Sequence, residues 1–81
     1  MSRLKQLSGS EVVKIFLSFG FQKSSQKGSH TKLKRVLSSG EKQILIVPAH
    51  SHLDKGTLRA IIRQASKFVS IDKLEEKFYT E

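Results

Sequence analysis

The sequence has no cysteine. That excludes a disulfide framework and any metal site built on thiolates, and it fits a reducing compartment. Long apolar runs are absent too. The longest, Ile44 to Val47, is far shorter than the ~20 residues a membrane helix requires. The opening MSRLKQLSGSEVV contains no continuous apolar segment of the secretory kind. The expectation is a soluble, cytoplasmic domain with no membrane partner. G-x-G-x-x-G, the P-loop, H-E-x-x-H and G-x-S-x-G are all missing, as are internal repeats and low-complexity segments. Acidic residues are the scarce charge: 7 Asp and Glu stand against 15 Lys and Arg, for a net charge of +8.

What is present follows from that imbalance. Asp72, Glu75, Glu76 and Glu81 all fall at the C-terminal end, so residues 1–71 hold 13 basic and 3 acidic side chains, a balance of +10. A small domain this cationic attracts polyanions, because each neutralised phosphate releases condensed counterions. Nucleic acid is the expected ligand. Eighty-one residues suit one domain, 1–81, with a core of about 7–68 and a helical extension of about 69–81. At this size folding buries only about 60% of the unfolded chain's surface, so the core must be compact.

The periodicities predict an α+β fold. Ser8-Gly-Ser-Glu11 has capping-box spacing, and Val12, Ile15, Phe16 and Phe19 recur on one helical face. Gly20 then ends that helix, with Phe21 as its apolar clasp. Gln22 to Gln26 reads as a strand and Lys27-Gly28-Ser29 as a turn. His30 to Leu37 forms a second, basic strand, and Gln43 to Val47 a third, closed by Pro48. Leu58, Ile61, Ile62 and Ala65 mark a second helix capped by Asp54 or Thr57, with Arg59 and Arg63 outward. Ser70 begins a third, with Val69 and Leu74 as staple and Ile71, Leu74 and Phe78 inward. The order is α-β-β-β-α plus a short C-terminal helix. Helices would cover one face of a three-stranded antiparallel sheet and leave the other open.

The histidines carry the chemistry. His30 follows the Gly28-Ser29 turn directly, and imidazole is the side chain suited to acid–base work near neutrality. RNA offers a matching reaction, since its own 2′-OH needs only deprotonation to attack the adjacent phosphorus. Lys27, Lys32, Lys34 and Arg35 would hold the phosphate, Gly28 would admit close backbone approach, and Ser29 would donate a hydrogen bond. The plainer reading is that His30 begins a strand and caps a turn. His50 and His52 follow Pro48 at i, i+2 spacing. Together with Asp54 or His30 they resemble a metal set, but one with no evident fourth ligand. His50 could instead pair with His30 as acid and base, while His52 reads as a loop-ordering residue.

Five segments in this order resemble the HicA-type mRNA interferase toxins: Ser8-Gly-Ser-Glu-Val-Val-Lys-Ile, Gly20-Phe21, Gln26-Lys-Gly-Ser-His30, Val47-Pro-Ala-His50, and Lys55-Gly-Thr-Leu-Arg-Ala-Ile-Ile-Arg-Gln-Ala65. The resemblance spans residues 7 to about 78. It implies a fold like a double-stranded-RNA-binding domain and ribosome-independent endoribonuclease cleavage of mRNA, a reaction for which the 2′-OH chemistry above requires no metal or cofactor. It also implies neutralisation by a HicB-type antitoxin covering the active face. His30 matches the catalytic histidine, Gly28 and Ser29 its turn, and His50 a second, supportive histidine. Gly56, Thr57 and Leu58 match a structural helix start. RNA contacts are expected from Lys27, Gly28, Ser29, Lys32, Lys34, Arg35, His50, Arg59 and Arg63. Two departures stand out: TKLKRVL is poor in aromatics for base stacking, and the acidic tail from Val69 is long enough to bind a partner or shield the basic face. A non-catalytic RNA-binding module and a protein adaptor are the rival readings.

Overall fold

The first helix is set by its ends. Ser8 Oγ accepts a hydrogen bond from the Glu11 amide at 3.1 Å, and Glu11 Oε1 accepts one from the Ser8 amide at 2.8 Å, which completes the capping box. At the other end Gly20 takes φ +93°. The Gly20 amide bonds Leu17 O and the Phe21 amide bonds Phe16 O, each at 3.1 Å, and the Phe16 and Phe21 rings meet edge-on at 5.9 Å. That is a Schellman stop with its apolar contact, as the Gly20-Phe21 pair predicts.

The computed structural model describes residues 2–80, so Met1 and the tail's Glu81 lie outside the described residues. The elements are β1 (Arg3–Leu4), α1 (Gly9–Ser18), β2 (Gln22–Lys27), β3 (His30–Val36), β4 (Lys42–Pro48), α2 (Lys55–Ala65), α3 (Ile71–Phe78) and β5 (Tyr79–Thr80). The sheet runs β2-β3-β4, antiparallel throughout. Leu33 pairs with Leu45 and Thr31 with Val47, placing these four on the inner face under the helices. Val12, Phe16, Leu58, Ile61 and Ala65 meet them in one apolar core. The α+β, α-β-β-β-α architecture with an added C-terminal helix is therefore present.

Three details differ from the sequence reading. Asp54 alone caps α2, accepting from the Thr57 amide at 2.7 Å, whereas Ser70 precedes α3 without a side-chain capping bond. Ile71 is half exposed, because α3 turns only Leu74 and Phe78 into the core while Val69 is buried just ahead of it. A two-stranded ribbon was not expected: Arg3 pairs with Thr80 and Leu4 with Tyr79, and the Lys5 amide bonds Phe78 O at 2.8 Å. Strands of two residues carry no periodicity to read. No described helix is long and apolar enough to cross a membrane.

Candidate nucleic-acid site

The hairpin that presents His30 is as short as an antiparallel connection can be. Lys27 pairs with His30, leaving Gly28 and Ser29 as the two-residue loop. Gly28 has φ +59° with open space around its Cα, the conformation that the first position of this tight turn demands. Ser29 O accepts from the Ala49 amide, tying the tip to the end of β4.

Alternation along β3 then sorts the side chains. His30, Lys32 and Lys34 stand on the open face, while Thr31, Leu33 and Arg35 turn toward the helices. His30 is exposed and lines an open cleft of about 590 Å³ with Ser25, Lys27, Lys32 and Ile46. Among the described residues no acidic side chain lines this cleft. The cleft thus brings an exposed imidazole together with two lysines, a proton carrier and positive charge of the kind that acid–base chemistry on a phosphodiester uses. Lys34 lines an adjoining hollow with Gln22 and Val36, to which Lys23 and Arg35 also contribute.

Arg35, expected to contact RNA, has its guanidinium engaged within the protein, although it also lines the hollow beside Lys34. Its Nε donates to Gln43 Oε1 at 2.7 Å, and its terminal nitrogens donate to Phe19 O at 2.8 Å and Phe68 O at 2.9 Å. Its guanidinium carbon lies 4.8 Å from the centre of the Phe21 ring. Its position one residue beyond Lys34 turns it inward, where it ties α1, the α2–α3 connection and β4 together. His50 does not share the His30 cleft either. It lines a groove on the helix side with Lys23, Gln26 and Thr31, so the two histidines open onto opposite faces of the sheet. Arg59 is exposed on α2 in a hollow with Arg3, Lys55 and Tyr79, and Arg63 is exposed near the end of the same helix. Both belong to the helical layer and not to the open face. Among the described residues no three His, Asp or Glu side chains are grouped to hold a metal ion. Asp54 serves as a cap, and the Thr57 amide bound to it holds its carboxylate below the ordinary range, with a smaller contribution from His52.

The groove beside His50 was missed at the level of sequence, although a signal for it exists. Ser10, Val13, Lys14 and Leu17 recur at i, i+3, i+4, i+7, a second stripe on α1 next to the core stripe, and all four line the groove. Facing them, β2 carries a bulge between Lys23 and Ser25. Ser24 has no cross-strand partner, so Lys23, two residues from the outward Ser25, points to the groove side opposite Leu33.

A search of curated proteins returned no match. Residues 9–66, most of the chain and the whole span from the α1 start through the hairpin, His50 and α2, match the family described as "HicA toxin of bacterial toxin-antitoxin". The chain belongs to the HicA family of toxins from bacterial toxin–antitoxin systems.

Proposed function

We propose that this protein is a metal-independent endoribonuclease that cleaves mRNA in the cytoplasm and is held silent by a HicB-type antitoxin seated on its open sheet face. The observation that carries the reading is the exposed His30 sharing a cleft with Lys27 and Lys32 and, among the described residues, with no acidic side chain. The imidazole removes the proton from a ribose 2′-OH, and the oxygen forms a bond to the adjacent phosphorus. The P–O5′ bond breaks, and the 5′ oxygen takes up a proton as it leaves. The products are a 2′,3′-cyclic phosphate and a 5′-OH end. The nucleophile belongs to the substrate, so the protein supplies a base or acid, positioning and charge. Lys27 and Lys32 flank the phosphate, Lys34 extends the rail, and the Gly28-Ser29 tip lets backbone approach it.

The test is mRNA incubated in EDTA with the wild-type chain and, separately, with His30→Ala. Wild type should cleave, and the variant should be slower by ~10²-fold or more, the usual contribution of a positioned acid–base group. RNA left intact by both would sink the nuclease reading in favour of a non-catalytic RNA-binding module. Cleavage abolished by the chelator would overturn metal independence.

A further inference from the structure

Behind the His30 cleft, on the helix side of the same hairpin, α1 and β2 enclose a groove of about 590 Å³. Val13, Leu17 and Ala49 give it apolar walls. Gln26, the deeply buried Thr31 and the exposed His50 imidazole add hydrogen-bonding groups, and Lys14 and Lys23 are exposed at its mouth. Among the described residues no acidic side chain lines it. We infer that this groove receives one unpaired base of the RNA strand being cut, with Lys14 and Lys23 on the flanking phosphates. The ligand class rests on the ribonuclease reading above.

Three observations support that occupant. The first is chemical: a nucleobase has apolar faces, a polar edge and an anionic tether, matching apolar walls, Gln26 and Thr31 inside, and lysines outside. The second is the shortage of stacking surfaces elsewhere. Phe16, Phe21 and Phe78 are buried, and Phe19, Phe68 and Tyr79 pack against the core. Among the described residues the open face therefore offers a base no aromatic platform beyond His30 itself, whereas the groove offers the His50 ring and apolar walls. The third is topological. Gln26–Thr31 and Lys27–His30 are successive cross-strand pairs, one facing the groove and the next the cleft. β2 is an edge strand of the sheet, the one that separates the two hollows, and is exposed along its whole length, so a flexible strand can round it and reach both. Base-paired RNA hides its base faces and presents shape and backbone instead. The substrate is therefore single-stranded where it crosses the hairpin, with the held base a few nucleotides from the scissile bond.

The test uses the full-length chain and a short RNA made uncleavable by methylation of every 2′-OH, so that binding is read apart from catalysis. Amide shifts on titration should include Lys14, Lys23, Thr31 and Ser51 as well as the hairpin tip. Leu17→Glu, at a half-exposed position on the groove wall, should weaken binding roughly ten-fold, the loss of one stacked base. Lys67→Gln, with the same change in charge on a surface outside both hollows, should weaken it less than about two-fold, as a remote screened charge does. RNA that binds with shifts confined to the open face, and with equal affinity for Leu17→Glu, would overturn the groove assignment and leave the nuclease reading intact. No RNA binding by wild type would remove both. Equal affinity for a fully paired duplex would overturn the unpaired base. Groove shifts produced more readily by a free mononucleotide, or by concentrating the protein without RNA, would assign the groove to an effector or a second copy and overturn the inference.

Discussion

Arg35 shows how one register position separates two functions within a basic strand. Its guanidinium spans Gln43, Phe19 O and Phe68 O in a fork that an ammonium cannot reproduce. Arg35→Ala should cost about 2 kcal/mol or more, since hydrogen bonds to charged groups are the expensive ones to lose. Arg35→Lys should recover only part of it. Urea denaturation reads both, and RNA affinity at matched folded fraction should change little, the opposite of Lys32→Ala. Gly9 is the second residue of this kind. Its amide donates to His50 O at 2.8 Å, and a Cβ there would collide with the Pro48 carbonyl. Gly9→Ala should therefore destabilise by about 1–3 kcal/mol, the usual range for overpacking. Because this contact seats α1 against residues 48–50, the same variant should disturb the groove before it disturbs the His30 cleft.

The elements themselves were legible wherever their physics is local. Ser8, Glu11, Gly20 and Phe21 define α1 through caps and stop, and the QILIV run and Pro48 define β4. What escaped notice depends on partners distant in sequence. The β1–β5 ribbon joins residues from the two ends of the chain, and the direction of Arg35 depends on which face the helices cover. His30 could be singled out because a short Gly-Ser turn and alternating lysines are neighbours of it. The groove could not, because it needs α1, β2 and the loop after β4 together. The caps also predict a pH response. Hydrogen bonds from the Ser8 amide and hydroxyl, with a smaller effect of Lys14, hold the Glu11 carboxylate below its ordinary range, and the Thr57 amide does so for Asp54. A depressed carboxylate adds stability that is fully present above its unfolded pKa and is lost as pH falls through the folded one. Thermal melts should thus be flat around neutrality and decline in the acid range. Asp54→Asn, which keeps a capping oxygen but cannot titrate, should show a shallower acid decline. An unchanged slope would mean that Asp54 contributes nothing to it.

At the scale of the whole molecule, the family match ends at residue 66, yet the core does not. Phe78 is buried against Phe16 with ring centres 5.6 Å apart, and Leu74 is buried beside it. The C-terminal helix is a structural wall whose acidic Asp72, Glu75 and Glu76 remain exposed. Phe78→Ala should cost about 3–5 kcal/mol, a large share of the roughly 5–15 kcal/mol that holds a domain folded. A chain truncated after Phe68 should show no cooperative melt. Retention of a sharp transition would show that α3 is dispensable. The bulge in β2 has a consequence for how these molecules behave toward one another. A regular edge strand is a template on which another copy can add a strand, and the surplus Ser24 breaks that regularity. Removing Ser24 would leave every remaining β2 residue opposite its present partner, with both hollows lined as before. The shortened protein should keep its chemistry and lose solubility, with self-association that grows with concentration in the centrifuge.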